Sequence, residues 1–363
     1  MRSSSTSPTR RRSLVGALAS APLLLASLLP GTVGSAAAAP IPPAPPLHGS
    51  TAEQVGGSAQ GLGQNVGGQL DGSGLGPSVY TGEGSGPDRY VALGDSYAAV
   101  GRISPGAWSQ GPVGCVRTDD AYPAVVARAL GAGTFVNASC GGAVTDDFWE
   151  AEDGVPPQLD ALDAGTDVVS LTIGGNDVGF GAVILGCAVR PLARDAGALP
   201  VADLAATEIS EGFDASAGCA DVIDRQSAEA LDQLDSRLDE VYGEIAERSP
   251  DARVVTAGYL SAIPDDETIR NSPDCELLMA AGEADRDRMR AFQGEINRVV
   301  RDAAERNGAT VVIPDEPGHS MCAPAAERWV DLTGLQTGAA PVHPTAAGHA
   351  HVGERVLEAL EAR

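Results

Sequence analysis

The chain has 363 residues, a formal net charge of -25 and no lysine, so every basic side chain is an arginine. A surface this acidic repels phosphate backbones and anionic headgroups, which excludes nucleic acid and acidic membranes as partners. None of the six cysteines stands in a C-x-x-C spacing, which argues against zinc.

Arg2, Arg10, Arg11 and Arg12 precede an apolar run from Leu14 to Leu29, and small residues follow it. These are the three zones of a signal peptide, expected over residues 1–39. The string "TRRRSL" from Thr9 to Leu14 also fits a twin-arginine export signal. Pro22 interrupts the run, which falls short of the roughly 20 apolar residues a membrane span needs. No later stretch qualifies, so the protein is expected to be secreted, extracellular and without stable membrane insertion. Residues 40–88 begin "PIPPAPPLHG" and continue rich in Gly, Ser and Gln, with almost no large apolar side chains. Such a segment cannot bury enough surface to offset its ordering entropy and is expected to be a disordered linker. The remainder, residues 89–363, suits one large α/β domain.

Within that domain, apolar strand-like runs recur: "YVAL" at 90–93, "FVNA" at 135–138, "DVVSLTI" at 167–173, "RVVTAGY" at 253–259 and "ATVVI" at 309–313. Between them, Leu231, Leu234, Leu238, Val241, Tyr242 and Ile245 recur at helical steps, as do Met289, Phe292, Ile296, Val299, Val300 and Ala303. Alternating strands and amphipathic helices predict an α/β three-layer sandwich with a mainly parallel central sheet. Residues 182–228 are less regular, and a long, disulfide-tied excursion is expected there. An even cysteine count in an exported chain favours three disulfides among Cys115, Cys140, Cys187, Cys219, Cys275 and Cys322. Sequence spacing alone leaves roughly 15 pairings open.

Ligands of parallel sheets bind beyond the carboxyl ends of the strands. Three such ends carry "GDSY" at 94–97, "SCGGA" at 139–143 and "IGGND" at 173–177, and the last segment carries "PVHPTAAGH" at 341–349. Singly, each has an ordinary reading: a turn or N-cap serine, a flexible glycine turn, a turn-forming asparagine, one histidine of five. Together, in this order, they resemble the SGNH hydrolases, also called the GDSL family of esterases and lipases. The family's serine falls on Ser96, its glycine on Gly142, its asparagine on Asn176 and its histidine on His343. The resemblance runs from Tyr90 to the C-terminus and is greatest to the secreted, three-disulfide lipases of actinobacteria. It implies a flavodoxin-like hydrolase fold and bridges between cysteines adjacent in sequence: Cys115–Cys140, Cys187–Cys219 and Cys275–Cys322.

The chemistry agrees with that alignment. Acyl transfer from an ester needs a nucleophile, a base and donors for the oxygen that becomes negative. Ser96 supplies the hydroxyl, and its own N–H at a helix start can face the oxyanion. Gly142, without a side chain, lets an oxygen approach its N–H, and Asn176 offers an amide donor. His343, followed by Pro344 at an expected helix start, is the candidate base. His48, His319, His349 and His351 are expected to be structural or on the surface. An α/β-hydrolase is disfavoured: its nucleophile stands in G-x-S-x-G, whereas Ala98 occupies the second glycine position here.

One departure is informative. Many family members carry an aspartate three residues before the histidine; here that position is Ala340, and no carboxylate lies from Thr333 to Val342. The ring N–H of His343 is therefore expected to find a backbone carbonyl, from Ala340 or Pro341, giving a Ser-His dyad; Asp331 is the more distant candidate. The expected activity is hydrolysis of a small-molecule or lipid ester by a monomer, with no metal and no cofactor. Acylglycerols are the first expectation, phospholipids or short-chain carbohydrate acetates the second, and a catalytically dead binding module the alternative of another class.

Overall fold

The structure is a computed structural model that describes residues 76–103, 115–196 and 218–362, apart from 83, 153, 277, 279 and 280. The expected signal peptide, most of the expected linker and the middle of the 182–228 segment lie outside these residues.

Six strands form the main sheet: β1 (Ser78–Thr81), β2 (Arg89–Gly94), β3 (Thr134–Asn137), β4 (Val168–Thr172), β5 (Arg253–Ala257) and β6 (Thr310–Val312), in the spatial order β1-β3-β2-β4-β5-β6. From β2 to β6 all pairings are parallel. Every residue of β4, and Tyr90 to Gly94 of β2, is buried, as a strand covered on both faces must be. That is why these segments read as unbroken apolar runs.

The helices are α1 (Ser96–Ala99), α2 (Tyr122–Leu130), α3 (Phe180–Ala196), α4 (Cys219–Arg248), α5 (Asp266–Asn271), α6 (Glu283–Arg306) and α7 (Ala346–Glu361). The chain steps from β2 to β3 in one direction and from β4 through β5 to β6 in the other. Right-handed crossovers then send α2 to one face and α4 and α6 to the opposite one. Consistent with this, α2 packs on α7 and α4 packs on α6. The order reverses between β2 and β4, and the crevice such a reversal opens lies at their carboxyl ends.

One expectation needs correction. The end of the supposed linker is structured: β1 pairs antiparallel with β3, and Tyr80 stacks on Phe135 at 5.6 Å. Val79 and Tyr80 suit a strand, but only the open edge of β3 gives them a partner. The segment from residue 182 begins inside a helix, α3, and the Cys187–Cys219 bridge ties that helix to the start of α4, as expected of a disulfide-tied excursion. The disulfides join Cys115–Cys140, Cys187–Cys219 and Cys275–Cys322, the pairing implied by the resemblance. Each bridge of this loop length contributes about 2–4 kcal/mol.

A second, two-stranded ladder follows β6. In it β7 (Val330–Asp331) pairs antiparallel with β8 (His343–Pro344), setting Asp331 opposite His343. Pro344 therefore lies in a strand, and α7 begins two residues later, capped by the Thr345 hydroxyl on the Gly348 N–H.

Candidate active site

The crevice at the strand reversal is built from three loops, and backbone sterics explain the first. Gly94 ends β2 with φ 125°, and a Cβ there would lie 2.1 Å from the Thr172 carbonyl oxygen of β4. Only glycine permits that approach. Gln158 holds the same residue from both sides, accepting from its N–H at 2.7 Å and donating to its carbonyl at 2.9 Å. Asp95 then caps α1 by accepting the Tyr97 N–H at 2.9 Å, which leaves Ser96 as the first residue of the helix. The N–H groups of a first turn have no partner within the helix, so that of Ser96 is available to an incoming oxygen.

Hydrogen bonds tie each pair of loops together. The Cys140 N–H donates to the Gly94 carbonyl at 2.9 Å, joining the second loop to the first. The Asn176 amide donates to the Ala143 carbonyl at 2.9 Å, and Asp177 accepts from the Thr145 N–H at 3.0 Å, joining the third to the second. Tyr259, just past β5, joins the third to the first: its oxygen accepts from the Gly175 N–H at 2.6 Å while its hydroxyl donates to Asp95. Gly142 stands between these ties with φ 79°, in the left-handed region that favours glycine. The structure thus ties together the three loops that carry Ser96, Gly142 and Asn176, although 80 residues separate the first from the last.

His343 enters from the second ladder. Its Nε2 lies 2.6 Å from Ser96 Oγ and its Nδ1 lies 2.7 Å from the Pro341 carbonyl oxygen. A carbonyl can only accept, so Nδ1 carries the proton and Nε2 faces the hydroxyl with its lone pair. This tautomer can take a proton from Ser96. Asp331 does not provide the orienting contact. Its buried carboxylate accepts from the N–H groups of Thr333 at 3.0 Å and Gly334 at 2.9 Å and from the Thr337 hydroxyl at 2.8 Å. It organises the loop that leads to the histidine.

Burial sets the electrostatics. It holds His343 below the ordinary imidazole pKa, against the smaller opposing pull of the Pro341 carbonyl. It pushes Asp95 up to about 7, outweighing the donors Tyr259 and Tyr97. Burial and then the neighbouring Asp95 raise Tyr97 and Tyr259, so both hydroxyls stay protonated donors. His349 is wholly buried, bonded to the Tyr122 N–H and the Val100 carbonyl, and held down to about 4 by burial. His319 and His351 sandwich Trp329 at 4.0 and 3.8 Å. His48 lies outside the described residues. Among the described residues no group of three or more histidine, cysteine, aspartate or glutamate side chains is placed to hold a metal ion.

Sequence reading missed Asp95, Tyr97 and Tyr259. All three lie at the carboxyl ends of strands, the one place where a polar side chain beside the crevice was to be sought.

The doubly wound sheet thus brings a serine and a histidine into hydrogen-bond contact at its strand reversal. Residues 92–351 match the model of the GDSL-like Lipase/Acylhydrolase family, and the chain belongs to that family. It is 34% identical over 277 residues to Lipase 2 of Streptomyces coelicolor, covering 75% of this chain and 85% of the relative. Among solved structures it is similar to an extracellular lipase from Streptomyces rimosus (28% identity, TM-score 0.52, 76% of this chain and 98% of that one). It is also similar to phospholipase A1 from Streptomyces albidoflavus (27% identity, TM-score 0.51, 76% and 99%). The protein is a carboxylic ester hydrolase.

Proposed function

We propose that the protein is a secreted serine esterase or lipase that works through an acyl-serine intermediate and a Ser-His dyad. Ser96 Oγ attacks the ester carbonyl carbon and its proton passes to His343 Nε2. The carbonyl oxygen, now negative, takes hydrogen bonds from the N–H groups of Ser96 and Gly142 and from the Asn176 amide. Collapse breaks the bond to the alcohol oxygen, which leaves with the proton from His343. Water then attacks the acyl-serine, again giving its proton to His343, and Ser96 recovers a proton as the carboxylic acid departs. The observation that carries this reading is the 2.6 Å contact of His343 Nε2 with Ser96 Oγ while Nδ1 is anchored on Pro341.

A backbone carbonyl in place of a carboxylate distinguishes this dyad. Asp331→Asn keeps an acceptor for Thr333 and Gly334, so turnover is expected to stay within about tenfold of wild type, whereas removing a triad carboxylate costs about 10⁴-fold. Steady-state kinetics on a p-nitrophenyl ester decide it. A loss of several thousandfold with the fold intact refutes the dyad.

Acylglycerols are the favoured substrate. The likeness to phospholipase A1 supports phospholipid as the second reading, and the net charge of -25 weighs against anionic headgroups. Turnover over p-nitrophenyl esters of increasing chain length, alongside fatty acid release from tributyrin and from phosphatidylcholine vesicles, separates them. Turnover of tributyrin, together with p-nitrophenyl esters longer than the acetate, is expected. Activity confined to acetate points to a small-ester esterase, vesicle hydrolysis alone to a phospholipase, and no turnover at all to a binding module. Secretion is supported by the three disulfides, which persist in oxidising compartments, and by the N-terminal signal zones.

A further inference from the structure

We infer that Tyr97 is a positioning residue, whose hydroxyl clamps the strained turn before His343 and thereby sets where the imidazole stands relative to Ser96. The inference rests on the reading of Ser96 and His343 as the reacting pair.

Residues 340–343 form a tight turn closed by the His343 N–H on the Ala340 carbonyl at 3.1 Å. Pro341 takes its second position and Val342, with φ 61°, its third. That is the pattern of a type II turn, whose third position requires positive φ and ordinarily holds glycine. Val342 is the one non-glycine residue with positive φ among the described residues, and it is β-branched, the least tolerant kind of side chain there. Such a conformation persists only where the surroundings over-determine it.

Two contacts hold it. The Val342 N–H donates to the Asp331 carbonyl at 2.7 Å, and the Val342 carbonyl accepts the Tyr97 hydroxyl at 2.7 Å. The turn matters because it folds the Pro341 carbonyl back under the ring that Pro341 orients. Tyr97 lies on the same four-residue helix as Ser96, its immediate neighbour. Its hydroxyl therefore ties the nucleophile's own helix directly to the base's own turn, across 245 residues of chain. The ring is aimed from behind by Tyr259, edge-on at 4.9 Å, and lies 5.4 Å from the His343 ring.

The test is a double-mutant cycle of Tyr97→Phe with Val342→Gly, followed by kcat and KM on a p-nitrophenyl ester, with Ser96→Ala as the reference. Tyr97→Phe keeps the packed ring and is expected to lower kcat about 10- to 100-fold with KM within about twofold, the scale of a small misplacement of reacting groups. Glycine suits the turn without a clamp, so in the Val342→Gly background the same substitution is expected to cost less than about threefold. Should Tyr97→Phe alone fail to fold, the penalty is read as the double variant against Val342→Gly, and a loss above tenfold there overturns the proposal. An equal penalty in both backgrounds overturns it, as does a wild-type kcat for Tyr97→Phe while Ser96→Ala is dead. An active Ser96→Ala overturns the dyad itself and this inference with it.

Discussion

Ser96→Ala is expected to lower kcat by roughly a millionfold, His343→Ala by a similar factor, and the double variant by no more than either. The reason is that in the proposed dyad the two side chains act as one unit. At 2.6 Å the imidazole has no proton to take unless the hydroxyl is present, and the hydroxyl is a poor nucleophile unless the imidazole takes its proton. Melting temperatures are expected to move little for Ser96→Ala, since the substitution removes one oxygen at the surface of a crevice. A serine-directed phosphonate is expected to label Ser96 in the wild type and nothing in the variant. Additive losses, or labelling elsewhere, would separate the two residues and remove the dyad. The pH profile gives an independent check with a definite sign. Burial disfavours the imidazolium of His343, so its pKa lies below the ordinary value. The neutral, proton-accepting form therefore persists to lower pH than for an exposed histidine, and the acid limb of kcat/KM is expected below the ordinary imidazole pKa.

Asn176→Ala is expected to lower kcat about 10²- to 10³-fold with little change in KM, the cost of one donor to a developing oxyanion. An amide carries two hydrogens. One is engaged by the Ala143 carbonyl, which fixes the plane of the group and, in the proposed mechanism, leaves the other for the oxyanion. Asn176→Asp is expected to be worse than alanine, because a carboxylate offers no hydrogen and repels the negative oxygen. If asparagine served only to hold the second loop, both substitutions would lose the hydrogen bond to the Ala143 carbonyl and the loss would fall in stability rather than in kcat. Kinetics and thermal melts measured together on both variants distinguish the two roles.

The sequence by itself determined the layers of the molecule. Strands buried on both faces must be continuously apolar, so β2 to β6 were readable as "YVAL", "FVNA", "DVVSLTI", "RVVTAGY" and "ATVVI". Helices with one buried stripe must repeat at three and four residues, as Leu231 to Ile245 do in α4 and Met289 to Ala303 in α6. The same local rules put Ser96 and Asn176 at strand ends. They do not reach β1, whose partner lies more than 50 residues away. Only the tertiary structure decided which carbonyl orients His343, that Asp331 serves the loop and not the ring, and that Tyr97 and Tyr259 bind the site together. Periodicity records which side of an element is dry. It carries nothing about a contact made across 247 residues, which exists only when the whole sheet has brought its carboxyl ends to one place.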